Sequence, residues 1–232
     1  MENIVSITAF ISLIAQVLTE IIQVFGLFVN LKPKYEILKD ALKLEILVQI
    51  TEFTYYIWLT FNLKNTDIIT PTRYYDWILS TPLMLLTTII YFIFKNEEKN
   101  SLDNSTELKQ LKFFDVIKNN KLQILIICLY NFLMLIFGYL GEVNILSNSI
   151  SVFIGTIFFL FSFGSLYNYY VKKNKQNLGL FLFVFIVWGL YGVAALLNFV
   201  PKNVMYNLLD IVSKNFYGLY LYYQIRKYNN KD

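Results

Sequence analysis

Asp210 and Lys214 sit four residues apart within Asn203–Ile225, an apolar run long enough to cross a membrane. At helical spacing both side chains leave one face. An ammonium group at the centre of a bilayer costs about 2.5–3.5 kcal/mol on insertion scales, so it requires an interior position, a partner and a task. The chemistry a buried lysine offers is a nucleophilic amine that condenses with carbonyl compounds. A second set, Arg73, Asp76 and Ser80, follows spacings of three and four and also shares a face. Two carboxylates against one lysine and one arginine would make a charge-balanced buried cluster. The alternative is a purely structural ion-pair network.

Three further stripes accompany these groups. Ser12, Gln16, Thr19 and Gln23 recur at helical spacing, as do Glu45, Gln49, Glu52 and Tyr56, and Asn203, Asn207, Asp210, Lys214 and Tyr217. Within a membrane such stripes read either as hydrogen bonds between helices or as the lining of a hydrated path. Phe181, Phe183, Phe185, Trp188 and Tyr191 crowd another run. They read as packing, or as flat walls for an elongated conjugated ligand. The chain has no histidine and one cysteine, Cys128, which excludes histidine triads, zinc sites, disulfides and histidine proton relays. No metal site is expected.

The elements that must position these residues are helices. Of 232 residues 56% are apolar and 16% charged, against about 25% charged in soluble domains. Seven runs are long enough to span: roughly 3–29, 42–62, 72–94, 122–140, 146–171, 178–200 and 203–225. The alternating ten-residue segments of a β-barrel are absent. The expectation is an all-α membrane protein, one seven-transmembrane-helix bundle over 1–232. Apart from the intrahelical Arg73 and Lys214, every Lys and Arg except Lys64 and Lys202 flanks one side of the membrane. The positive-inside rule then places the N-terminus outside and the C-terminus in the cytoplasm. Glu2 and the absence of a basic leader read as a retained first helix. In the polar stretch 95–121, Leu108, Leu111, Phe114 and Ile117 recur every three residues, which suggests a surface helix or an early start of the fourth span. Lipids are the expected surroundings, and nucleic acid is not an expected partner.

Arg73-Tyr74-Tyr75-Asp76-Trp77 followed by Ser80-Thr81-Pro82, together with Asp210-x-x-x-Lys214, resembles the microbial (type 1) rhodopsins over essentially the whole chain. The resemblance implies all-trans retinal held as a protonated Schiff base on Lys214, with Asp76 and Asp210 as counterions and Arg73 beneath them. It also implies a polyene between Trp77 and Trp188, Tyr56 and Tyr191 bonded to Asp210, and Met134 and Gly138 on the fourth-helix side. Ser80 would belong to the same pocket, and Thr81 with Asn131 would link retinal to gating. Some positions depart from the proton pumps of the family. Gly192 stands where they carry proline, Ala195 where they carry a second tryptophan, and Thr87 where they carry a carboxylic donor. Lys202 lies near their proton-release region.

Asp210 to Gly218, with Asn215 directly after the lysine, is similar to the channelrhodopsins. The glutamates a heptad apart and the short loops resemble the group 1 viral rhodopsins. That likeness implies a light-gated channel for monovalent cations and protons, not an enzyme, with Ser12, Glu45, Glu52, Asn207 and Asn215 at the pore constrictions. It would be a multi-pass protein of the membrane, a host-cell membrane if the source is viral, and a homo-oligomer. A light-driven outward proton pump is the alternative, a sensory rhodopsin the second alternative, and a retinal-free transporter the last.

Overall fold

The computed structural model describes residues 2–230. Its helices are α1 (Glu2–Leu27), α2 (Ile37–Asn62), α3 (Thr66–Asp103), α4 (Phe113–Asn119), α5 (Lys121–Glu142), α6 (Asn148–Leu166), α7 (Leu178–Ala195), α8 (Phe199–Asp210) and α9 (Phe216–Asn229). A π turn, Ile211–Asn215, joins α8 to α9 as one rod, and a second π turn, Tyr167–Val171, extends α6. The rods α1, α2, α3, α5, α6, α7 and α8–α9 form the expected seven-helix bundle, with no strand among the described residues.

The bundle is apolar outside and polar within. Along α1, Ile7, Ile14 and Leu18 face outward, while Ser12, Gln16 and Gln23 are fully buried. That inversion suits a hydrocarbon solvent, where polar groups are tolerated only toward the protein interior or a watery cavity. Among the described residues, five helices are long and apolar enough to cross a membrane by length and composition. α2 is not among them because it carries Asp40, Lys43, Glu45 and Glu52. The seventh rod is not among them because Asn203, Asn207, Asp210, Lys214 and Asn215 lower its apolarity.

Several boundaries differ from the apolar runs, because apolarity marks the hydrocarbon and not the helix. α3 continues past Phe94 to Asp103, supported by the pair Lys95–Glu98 and by Lys99–Asp103 at 3.9 Å. α2 begins at Ile37, five residues before the apolar run. Pro201 lies in the first turn of α8 and not in a loop, a position where its missing N–H costs nothing. The surface helix is confined to Phe113–Asn119. Leu108 and Leu111 precede it without helical structure and pack on the core beside Phe113, so their spacing of three is not a helical period.

Helix ends that would be costly in a bilayer are satisfied by neighbours. Asn148 Nδ2 donates to the Ala195 carbonyl at the end of α7 (2.7 Å). Asn177 Nδ2 and Asn96 Nδ2 both donate to the Tyr170 carbonyl in the π turn, at 3.0 Å each. The end of the bundle bearing Lys32, Lys95, Lys173 and Arg226 is called the basic end below.

Candidate functional site

The π turn has a direct effect on the site. A π turn holds an extra residue and re-aims what it carries. Ser213, Lys214 and Asn215 are consecutive yet all buried, which a narrow stripe on a regular α-helix would not allow. Lys214 therefore points to the bundle centre while its neighbours face the interior on either side.

Around Lys214 Nζ the structure gathers Asp76 Oδ2 at 2.7 Å, Glu52 Oε1 at 3.4 Å and Asp210 Oδ1 at 3.5 Å. Asp76 comes from α3, Glu52 from α2, and Asp210 from the preceding turn. Helical spacing puts Glu52 on the α2 polar stripe and gives only Asp76 and Asp210 as carboxylates at the lysine. There are three, against the two cations Lys214 and Arg73, so the cluster is not charge-balanced with every group ionised. Helical spacing could not reveal this, since it does not say how far α2 is rotated toward the seventh rod.

Asp210 is held on both sides. Tyr56 Oη and Tyr191 Oη each donate to it at 2.7 Å, and Arg73 Nη1 reaches it at 3.3 Å. Arg73 is fully buried, and its Nη2 donates to Asn207 Oδ1 (2.5 Å) and its Nε to Asn203 Oδ1 (3.1 Å). The guanidinium lies 5.4–5.9 Å from the ring centroids of Tyr206, Tyr55 and Tyr56. Asn207 Nδ2 in turn donates to Thr8 Oγ1 (2.8 Å), and the Asn207 carbonyl accepts from Ser12 Oγ (2.7 Å). Ser12 and Asn207 thus belong to a dense network around Arg73, on the side away from the basic end.

Toward the basic end the interior is polar but sparsely bonded. Both side-chain polar atoms of Gln16, Gln23, Gln49 and Asn215 are buried without a hydrogen-bond partner. Glu45 accepts from Thr87 Oγ1 at 3.3 Å through one oxygen and leaves the other unpaired. Tyr217 Oη accepts from Thr88 (3.1 Å) and Thr87 (3.3 Å), which joins α9 to α3 beside Glu45. The five expected pore residues lie at several levels of the interior. Ser12 and Asn207 lie in the arginine network, Glu52 at the lysine, Asn215 beside the lysine on the π turn, and Glu45 near Thr87.

A cavity of about 360 Å³ opens from Lys214. Trp77, Thr81, Met134, Gly138, Trp188 and Tyr191 line it, and so do Tyr74 and Tyr206, for which spacing carries no such signal. A Cβ on Gly138 would come within 2.7 Å of the Tyr74 hydroxyl, so only glycine admits that ring. Asn131 Nδ2 donates to Thr81 Oγ1 (2.7 Å), and Thr81 Oγ1 donates to the Trp77 carbonyl (2.7 Å), the pairing that the resemblance implied. Ser80 is buried but is not on the cavity wall, and its hydroxyl has no partner. Beyond Tyr74, Lys202 Nζ reaches both oxygens of Glu142 at 2.8 and 3.0 Å, tying α8 to α5. Spacing within either helix carries no signal for that pair.

Residues 7–228 match the family described as bacteriorhodopsin-like protein. The chain belongs to that family, the microbial rhodopsins. This microbial rhodopsin is similar in structure to the viral rhodopsin OLPVRII at 27% identity and a TM-score of 0.81, over 96% of this chain and 98% of that one. Exiguobacterium sibiricum rhodopsin aligns at 16% identity and a TM-score of 0.75 over 100% of both chains. The proton pumping rhodopsin AR2 from the marine alga Acetabularia acetabulum aligns at 17% identity and 0.73 over 99% and 97%. No curated protein matches the sequence. Rhodopsins of this family bind retinal and are multi-pass membrane proteins. The residues here fit that group: a buried primary amine ends a cavity whose walls are aromatic and almost entirely apolar.

Proposed function

We propose that this microbial rhodopsin holds all-trans retinal on Lys214 and acts as a light-gated cation channel, with its basic end in the cytoplasm. Retinal bound there would supply absorption of visible light and a change of shape on illumination. The protein's own groups would do the rest. Asp76, Asp210 and Glu52 neutralise positive charge at Nζ and offer three possible sites for a proton. Tyr56, Tyr191 and Arg73 keep Asp210 in place. Trp77 and Trp188 confine an elongated ligand, and Thr81–Asn131 couples the α3 wall of the cavity to α5.

One observation carries the channel reading: the unpartnered polar atoms of Gln16, Gln23, Gln49, Glu45 and Asn215. A buried polar group without a hydrogen bond costs about 1–3 kcal/mol, so five such side chains together favour a water-lined path. That path would lead from the basic end to the lysine cluster and stop at the Arg73–Asn207 network, which closes it. Carboxylates along it favour cations. The proton-pump reading has support of its own, since Glu45, bonded to Thr87, brings a carboxylate to the region where pumps keep their donor.

Voltage clamp separates the two. Channel photocurrents reverse sign near the cation equilibrium potential. Currents that stay outward at every voltage would reject the channel and favour the pump. Membranes supplied with all-trans retinal should colour, and Lys214→Ala should remain colourless; an unchanged visible band in that variant would remove the retinal reading.

A further inference from the structure

The cavity at Lys214 does not end inside the protein. On its far side it is lined by Val152, Thr156 and Leu160 of α6 and by Gly189, Val193 and Leu196 of α7. These are facing stripes at helical spacing on two adjacent helices. Leu160, Val193 and Leu196 are 51%, 54% and 55% exposed on the lipid-facing surface. One continuous space therefore runs from a fully enclosed amine to the outer wall of the bundle.

The shape of the α6–α7 pair explains why. Toward the basic end the two helices are zipped by phenylalanines: Phe185 of α7 lies 5.1 and 5.6 Å from Phe159 and Phe163 of α6, and Phe181 lies 6.1 Å from Phe163, between ring centroids. Toward the other end the zip stops and glycines take over. A Cβ built on Gly192 meets nothing within 4 Å, and one on Gly189 meets only the Phe159 ring at 3.9 Å. The absence of side chains at these two positions leaves a slot between the helices.

The slot is chemically selective. Its α6 hydroxyls are already bonded, Thr156 Oγ1 to the Val152 carbonyl at 2.7 Å and Ser151 Oγ to the Phe137 carbonyl of α5 at 2.5 Å, so neither is a polar group in need of a partner. An ion or a water file would find no ligands there, and ions have a polar interior on the opposite side of the bundle. A hydrocarbon chain dissolved in the bilayer would meet a mostly apolar surface from lipid to cavity.

We propose that the α6–α7 slot is the route by which retinal reaches Lys214 directly from the bilayer. This rests on the reading of Lys214 as the retinal attachment point. The chain thereby keeps two separate accesses, an apolar one for the chromophore and a polar one for ions.

The test follows retinal uptake and not photocurrent. Retinal-free protein in lipid vesicles is mixed with vesicles loaded with all-trans retinal, and the visible band is recorded over time. Val193→Trp should place an indole across the slot and slow band formation roughly tenfold, about 1.4 kcal/mol of added barrier, with the same final absorbance. Leu196→Ala should widen the rim and speed it. Ile186→Trp, equally lipid-exposed on α7 but two turns away, should leave the rate unchanged. Wild-type rates in both Val193→Trp and Leu196→Ala would overturn the proposal, as would equal slowing by Ile186→Trp. If wild-type protein itself develops no band, the Lys214 reading fails and the slot proposal with it. A normal wild-type band with unaffected rates rejects the slot alone.

Discussion

If the Arg73–Asn207 network is what closes the conduction path, Asn207 is its most economical point of attack. The side chain is fully buried and joins four rods: Oδ1 accepts from Arg73 (2.5 Å) and Tyr56 (3.2 Å), and Nδ2 donates to Thr8 Oγ1 (2.8 Å) and the Val5 carbonyl (3.2 Å). In Asn207→Ala, Arg73 loses a charge-assisted bond worth about 1.5–3 kcal/mol. The two bonds to α1 add about 0.6 kcal/mol each, the mean for such contacts between membrane helices. Tyr56 loses little because it keeps Asp210 at 2.7 Å. The closed arrangement should therefore weaken by about 3 kcal/mol, or roughly a hundredfold in its equilibrium with an open one. Asn207→Asp keeps an oxygen for Arg73 and loses only the donors to α1, about 1 kcal/mol and less than tenfold. The assay is voltage clamp in darkness and after a light pulse, normalised to pigment by visible absorbance. Dark conductance should rise, and closing should slow, in the order wild type, Asn207→Asp, Asn207→Ala. Equal dark currents and closing rates in all three at equal pigment would refute the reasoning, because the network would then not be the closure.

Two further outcomes follow from the geometry. Glu52→Gln replaces a carboxyl group 3.4 Å from Lys214 Nζ and should shift the visible band, whereas Glu45→Gln, about 10 Å away along the same helix, should alter current with little change of colour. An unshifted band in purified Glu52→Gln would argue against its place at the lysine. Lys202→Met leaves the part-buried Glu142 without its partner and should lower the thermal midpoint of pigment bleaching, while Lys202→Met with Glu142→Leu should recover most of that loss. No recovery in the double variant would mean that the pair acts through something other than a stranded charge.

Much of the site was legible in the chain because its signals are local. Lys214 with Asp210, Arg73 with Asp76, and the stripes on α1, α2 and the seventh rod are each read within one helix, where spacing alone says which residues share a face. Trp77, Trp188, Tyr191, Met134 and Gly138 entered through the family resemblance and do line the cavity. Where spacing was applied outside a helix it misled, as at Leu108 and Leu111, whose period of three belongs to a non-helical segment held down by core contacts.

By itself, then, the sequence determined the environment and the reactive groups: a polytopic helical chain, a lysine in its interior, carboxylates one turn away and on another helix, and polar faces turned inward. Only the tertiary structure decided which faces meet. It placed Glu52 as a third carboxylate at Lys214, set Glu45 against Thr87, joined Lys202 to Glu142, and left the α6–α7 slot open beside Gly189 and Gly192. The physical reason is that helical period sets angles within a rod, whereas the rotation and depth of one rod against another depend on the packing of every side chain between them.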